Sequence, residues 1–315
     1  MKITENYWYK RFPQGSFGGE VFFDEPMARH TTLGVGGLAD LLAVPAEIIS
    51  VQGVLIASAD DNLPLTVLGG GSNVVIRDRG ISGITVSLMK LNRLEAISGG
   101  SDSEPAKLFV EAGVSLAKLL RFCAEKGFSG LEELSGIPGS VGGAIRMNAG
   151  AFGAEIKDVV ESVVVMNRKG RISRIPQSEI PFRYRSCGLD DELLILGANI
   201  LLEKSEPVKV LNQMTDYHHE KQQRQPLSDK SAGCVFKNPE GEGDSSAWKL
   251  IDAAGLRGAS EGGIRVSTQH ANFFINDGSG TATQFITLME RIKEEVELKT
   301  GVVLEPEVRV IGRKS

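Results

Sequence analysis

Short apolar runs and amphipathic stretches alternate along the chain, and clusters of glycine separate them. Residues 38–44 read as a strand, and Pro45-Ala46-Glu47 opens a helix to about residue 59, because proline is favoured in a first helical turn. An apolar strand at 63–68 ends at a glycine triplet, and the β-branched runs 74–76 and 84–86 resume strands at once. Residues 115–126 predict a helix with Ser115 as its N-cap and Gly127 at its C-terminus. Leu116, Leu119, Leu120 and Cys123 share its apolar stripe, which makes Cys123 a core filler. Residues 159–166, the turn Asn167-Arg168-Lys169-Gly170 and residues 171–175 read as a hairpin, followed by a strand at 193–202. A polar helix at 208–226 ends in HHEKQQRQP and marks a domain junction. The last helix, 281–299, has a capping box in Thr281 and Gln284, Gly301 past its end, and Phe285, Leu288, Met289, Ile292 and Val296 at the helical period. The chain closes on an alternating strand at 304–311. Strands and helices mix irregularly, so the expected class is α+β rather than a repeated βα architecture.

At 315 residues the chain has room for about two domains of ordinary size. Hydrophobic residues at 41% and charged residues at 24% exclude a disordered chain. No apolar run approaches the ~18 residues that a membrane span needs, and MKITENYWYKRFPQGSF lacks the apolar core of a signal peptide. A cytoplasmic protein without a membrane partner is expected. The net charge of −5 argues against nucleic acid as a partner. Cys123, Cys187 and Cys234 are odd in number and not at CxxC spacing, and four histidines are scattered, so a reducing compartment and no metal are expected. Oligomeric state is left open, and a monomer is compatible with the sequence. Residues 1–19 carry no readable motif. What stands out is 37 glycines, well above the ~7% that is usual.

The glycines cluster in GVGG at 34–37, GGGSN at 69–73, GIPGSVGG at 136–143, NAGAFG at 148–153 and EGG at 261–263. GVGG and EGG read as ordinary turns. GGGSN follows a strand, yet the chain holds no GxxxxGK[ST], and the segment leads into another strand rather than a helix, so neither the P-loop nor the dinucleotide fingerprint applies. Exposed amides and a serine hydroxyl between two strands suit a pyrophosphate, but taken alone they suit a tight turn somewhat better. The stretch 135–153 shifts that balance. So much glycine costs backbone entropy on ordering, and close approach of a ligand to the backbone is the better reason for it. Two such loops suggest one extended ligand lying across both.

VLGGGSNVVI, LSGIPGSVGGAIRMNAGAFG, PFRYRS, SAGCVFKNP and LEPEVRVIG occur in an order that resembles the UDP-N-acetylenolpyruvoylglucosamine reductase (MurB) family, over roughly residues 31–312. The resemblance implies a vanillyl-alcohol-oxidase/PCMH-type FAD-binding fold with an additional α+β substrate domain, and NADPH as reductant. The implied reaction turns UDP-N-acetylglucosamine enolpyruvate, a small-molecule partner, into UDP-N-acetylmuramate in peptidoglycan synthesis. Three parts are expected: 20–88 joined by 300–312, then 89–204, and a substrate domain at 205–299, with FAD between the first two. By the same resemblance Gly69, Gly70, Gly71, Ser72, Asn73 and Val74 cradle the FAD pyrophosphate. Gly139, Ser140, Gly143, Ala144 and Gly150 lie against the flavin and its ribityl chain. No long insertion precedes SAGC and no counterpart of a substrate-closing tyrosine loop is present, so the chain resembles the shorter subclass with a more open substrate site.

Hydride delivery to an enol ether leaves negative charge on the carbon that bears the carboxylate. A cation at the carboxylate, a second hydrogen-bonding group and a proton donor are needed. Arg185 matches the family's active-site arginine, and a guanidinium fork suits a carboxylate. Tyr184, also assigned to substrate, would face the other side of a strand from it. Glu307 alone reads as a solvated strand residue, with Glu305 and Arg309 on its face; the family position makes it the active-site glutamate, with a raised pKa expected. Arg309, Lys237 and Asn238 match substrate ligands. Cys234 stands where most members carry serine as the proton donor. A thiol is a stronger acid than an alcohol and mostly protonated at pH 7, so it suits the same role, although a nearby Lys237 or Arg185 would lower its pKa; a buried packing residue is the alternative. His270 reads equally as packing or ligand, and Cys187 as structural. A flavin oxidase of the same fold, or a non-catalytic UDP-sugar-binding protein, would share the glycine loops; the late KNP and PEV segments argue against the first, and Arg185 with Glu307 against the second.

Overall fold

A computed structural model describes residues 3–98, 104–239 and 246–314, and divides the chain into two compact units. The first comprises Met1–Phe23, Leu41–Gly70 and Gly83–Glu220, and the second Asp24–Asp40, Gly71–Ser82 and Lys221–Ser315. The chain therefore changes unit in the middle of the glycine triplet, between Gly70 and Gly71.

The first unit is built on an antiparallel sheet in the order Ile172–Pro176, Val160–Met166, Leu194–Lys204, Ala106–Glu111, Leu94–Ser98. The expected hairpin is its edge, with Met166 opposite Ile172. Along Ala106–Glu111 burial alternates residue by residue, as a half-buried strand requires, and Val163, Val165, Ala198 and Ile200 fill the core beside it. A second sheet brings Leu65–Leu68 parallel to Ile81–Ser87, and the helix Ile48–Asp60 packs Val51, Val54 and Leu55 into the same core. That helix starts at Ile48 rather than Pro45, because Pro45 ends the strand Leu38–Pro45.

The helix Leu116–Lys126 has the expected caps. The Ser115 hydroxyl accepts from the Lys118 amide at 3.1 Å, and Gly127 takes φ +68. Cys123 is buried on its stripe, and burial first, then the nearby Glu132 carboxylate, push its thiol up to about 12, so it packs rather than reacts. Residues 4–17, in which the sequence offers no readable motif, contain a short helix. Thr4 caps the helix Glu5–Arg11, and Trp8, Phe12 and Phe17 stack with ring centroids 4.4–5.8 Å apart.

The second unit has an antiparallel sheet in the order Ser231–Cys234, Phe273–Asn276, Ile264–Val266, Ser260–Glu261. The helix Ala282–Thr300 buries Phe285, Leu288, Met289, Ile292 and Val296 in its core, begins on the Thr281–Gln284 capping box, and ends on Gly301 at φ +73. The terminal strand is shorter than its alternation predicts. Pro306 has no amide to donate, and residues 304–308 form no ladder beyond the isolated Phe236–Pro306 bridge, around which Lys237 donates to the Glu305 carbonyl and Glu307 to that of Val235; a ladder forms at Arg309–Ile311, parallel to Val74–Ile76. Among the described residues no helix is long and apolar enough to cross a membrane.

Asp78 fastens the start of Ala282–Thr300. Its carboxylate accepts from the Ala282 amide at 2.9 Å, the Thr283 amide at 2.8 Å and the Thr283 hydroxyl. Partial burial works to raise its pKa, but these three donors outweigh it and hold the carboxyl below its usual range. Asp78→Ala is expected to lower the denaturant midpoint by an amount equivalent to ~1 kcal/mol at neutral pH. Because the folded pKa is depressed, this contribution is full above the unfolded value of 3.8 and fades as pH falls through the lower folded one. Unfolding titrations of both proteins across that range check the sign.

Candidate active site

In the first unit the expected cofactor residues converge through bare backbone. A Cβ on Gly69 would stand 2.6 Å from Ser140 Oγ, and one on Gly70 would stand 2.8 Å from Gly139 Cα and 3.2 Å from the Ser140 amide. Only glycine allows these two segments to lie together. The second loop is not irregular throughout, as its composition suggests: Ser140 caps a short helix, Val141–Arg146, its hydroxyl facing the Gly143 amide at 3.4 Å, and Ala144 is buried within it. Gly150 follows on a two-residue strand paired with Ala154–Glu155. The turn at Ser115 bridges to Ser140, and Leu116 donates to the Gly139 carbonyl at 3.0 Å, so the loop is held from behind as well.

PFRYRS is a tight turn, not a strand. Arg183 and Ser186 exchange backbone hydrogen bonds of 2.8 and 3.1 Å, and Arg185 occupies the third position at φ +55. A single positive φ at that position is the type II pattern, which favours glycine, and an arginine there carries about 1–3 kcal/mol of backbone strain. Tyr184 does not face away from Arg185. The guanidinium lies over the Tyr184 ring, 4.8 Å from its centroid. A cavity of about 770 Å³ in the same unit, lined by Leu120, Ala124, Ile137, Pro138, Leu211 and Met214, contains none of the expected cofactor or catalytic residues.

In the second unit, Gly71 takes φ +65 and a Cβ there would stand 2.0 Å from the His30 carbonyl oxygen. Ser72, Asn73 and Val74 carry the chain into the parallel pair with the C-terminal strand. Asn73 binds Arg309, which opens that strand, and Glu307, which precedes it. Its carbonyl accepts from the Arg309 amide at 3.0 Å, and its side-chain amide donates to the Glu307 carbonyl at 3.3 Å. Glu307 in turn donates its backbone amide to Val235, the residue after Cys234, at 2.8 Å. Cys234 is half-buried at the end of a bulged strand in which Gly233 takes φ +75. Glu307 and Arg309 are thus linked to Asn73, and Glu307 also to Val235, which follows Cys234. Lys237 forms an ion pair with Glu305, and Asn238 Oδ1 accepts from the Ala247 amide at 3.0 Å, starting the helix Ala247–Ala253.

Three residues absent from the sequence reading support this arrangement. Asn272, buried, clasps Phe236 with two side-chain hydrogen bonds of 2.9 and 2.7 Å, and its carbonyl accepts from Val235. Asn148 and Arg146 hold the chain around the Arg185 turn. Their only sequence signal is a polar residue inside a glycine-rich, otherwise apolar stretch. His270 packs between Trp248 and Phe273, at centroid distances of 5.9 and 5.0 Å, and burial, then the Arg257 charge, press its pKa down to about 4. It is a neutral packing residue near pH 7.

Residues 39–176 match the family model described as FAD binding domain, and residues 225–311 match that of the C-terminal domain of UDP-N-acetylenolpyruvoylglucosamine reductase. The reductase of that name from Geobacter metallireducens is 39% identical over 94% of this chain and 95% of its own length. That from Exiguobacterium sibiricum is 40% identical over 94% of each. Among solved structures, the Thermus caldophilus enzyme is 31% identical and superposes with a TM-score of 0.77, covering 93% of this chain and 98% of its own. The fold is accordingly α+β, with a PCMH-type FAD-binding domain.

The glycine contacts make opposite forecasts for two alanines. Gly70→Ala forces a methyl against backbone and is expected to lower stability by roughly 1–3 kcal/mol. Gly143→Ala meets only Ser140 Oγ at 3.6 Å, inside a helix, and is expected to leave stability unchanged or raise it. Urea midpoints of the two variants, compared with the parent, decide this.

Proposed function

The chain belongs to the UDP-N-acetylenolpyruvoylglucosamine reductase family, and on that premise we propose that it reduces the enolpyruvyl ether of UDP-N-acetylglucosamine enolpyruvate to UDP-N-acetylmuramate, a cytoplasmic step of peptidoglycan synthesis. The observation that carries the reading is the close backbone approach of Gly69 and Gly70 to Gly139 and Ser140, which leaves no room for a side chain and lies within the FAD-binding match. Gly69 to Val74 hold the pyrophosphate with their amides and the Ser72 hydroxyl, and Gly139, Ser140, Gly143, Ala144 and Gly150 present bare backbone to the flat ring and its chain. FAD, recharged by NADPH, supplies the hydride. Residues 20–88 with 300–312 and residues 89–204 serve that cofactor, and 205–299 serve the substrate.

Arg185 binds the substrate carboxylate and stabilises the charge that spreads into it as the double bond is reduced. The strained turn and the Tyr184 ring narrow the positions open to its guanidinium, and Tyr184 adds an exposed face to the substrate. Cys234 donates its thiol proton to the carbon bearing the carboxylate, and Glu307, protonated or bridged by a cation, holds the enolate. Lys237 and Asn238 hold the sugar nucleotide, and Arg309 its charge. NADPH and the UDP-sugar take turns at an overlapping site that is open, as in the shorter subclass.

Anaerobic spectroscopy tests the reading. The purified protein is expected to be yellow, to bleach with NADPH and to recolour on adding the enolpyruvyl UDP-sugar. Colourless protein after FAD reconstitution overturns it, and bleaching without recolouring points instead to another substrate. Cys234→Ser is expected to retain substantial turnover, and Cys234→Ala to lose most of it. Equal, near-parental turnover in both would remove Cys234 as the donor.

A further inference from the structure

We propose that Asn148, with Arg146, is a positioning residue that locks the Arg185 turn to the glycine-rich loop; the inference rests on the role assigned to Arg185 above. The local backbone gives the first indication. The helix Val141–Arg146 ends in a Schellman motif: Ala149 donates to Ala144 at 2.8 Å, and Asn148 donates to Ile145 at 3.1 Å, with Asn148 at φ +43. That left-handed position is one that glycine fills best, in a stretch of chain already rich in glycine. An asparagine retained there points to a use for its side chain.

The use is visible. Asn148 is fully buried, and its amide nitrogen donates to the carbonyl of Arg183 at 3.1 Å, while its oxygen accepts from the Lys157 backbone at 3.4 Å. Arg183 opens the turn whose third residue is Arg185. On the far side of that turn, Cys187 donates to the Arg146 carbonyl at 3.0 Å. The Arg146 guanidinium then donates to the carbonyls of Leu189 at 3.0 Å, Asp190 at 3.2 Å and Leu193. The turn is therefore gripped before and after Arg185 by residues that lie between Gly143 and Gly150. Side-chain bonds to carbonyls, most of them part-buried, fix a segment that has little regular structure of its own and that holds a non-glycine residue at φ +55. The consequence is a fixed spacing between the loop backbone and the Arg185 guanidinium.

Two substitutions separate this role from a general contribution to folding. Asn148→Gly satisfies the left-handed backbone and removes both side-chain bonds. Asn148→Asp keeps the acceptor for Lys157 and loses the donor to Arg183. Both holoenzymes are expected to retain FAD and to be bleached by NADPH at the parental rate. Recolouring by the enolpyruvyl UDP-sugar is expected to slow roughly 10- to 100-fold, the loss that follows from misplacing a reacting group by about 1 Å. Independently of turnover, amide hydrogen exchange across residues 183–187 is expected to quicken in both variants, while the helix 116–126 exchanges as before. Recolouring at the parental rate, or unchanged exchange at 183–187, overturns the proposal. Loss of FAD and of bleaching in step with recolouring overturns it too, as that marks a merely structural residue. If the parent itself fails to recolour, the functional reading fails first and takes this inference with it, even where the exchange difference is seen.

Discussion

Two stretches of backbone in the first unit lie together with no side chain between them, and the local architecture follows from that constraint. Gly69 and Gly70 end the strand Leu65–Leu68, and Gly139 and Ser140 begin the helix Val141–Arg146. A methyl group at Gly70 would need the space that Gly139 Cα occupies. Glycine loses more entropy on ordering than any other residue, so this approach is held by its surroundings: Leu116 and Ser115 behind the second loop, and the apolar core beneath Val141, Ala144 and Ile145. From there the chain runs without interruption through the Schellman end of the helix to Asn148, and across hydrogen bonds to the turn that carries Arg185.

The second unit solves a similar problem by other means. Its expected chemistry stands on short, irregular pieces: a bulged strand ending at Cys234, a three-residue terminal strand, and the Asn73 segment. None would keep its place alone. Asn73, Val235 and Asn272 join them through backbone bonds and through the side-chain amides of the two asparagines, so that the positions of Cys234 and Glu307 depend on these links rather than on a regular sheet. Lys237 is already paired with Glu305, which leaves its charge shared before any ligand arrives.

The helices were legible because their caps are local chemistry. Ser115 with Gly127, and Thr281 with Gln284 and Gly301, occupy the roles that their residue types suggest. The hairpin at Val160–Met166 and Ile172–Pro176 was legible from β-branched runs around a turn. Alternation misled at 304–311, because periodicity does not register that Pro306 lacks a donor. PFRYRS misled because nothing in its composition announces Arg185 at positive φ, in a turn whose flanks are bonded to Asn148 and Arg146. The N-terminal helix escaped notice although Thr4 and the aromatic trio were in plain sight, since a single short helix gives too little periodicity to detect. Of the candidate site, glycine clustering alone pointed to a ligand; the chemistry came from motif order, and the residues that position it came only from the structure.

The central claim, that bare backbone at the two glycine loops is the surface for FAD, is tested most directly by hydrogen exchange on deflavinated protein before and after FAD is restored. The account predicts slower amide exchange at residues 69–74 and 139–150, with the helix Ala282–Thr300 unchanged. Protection that maps elsewhere, or none at either loop while FAD is bound, would contradict it.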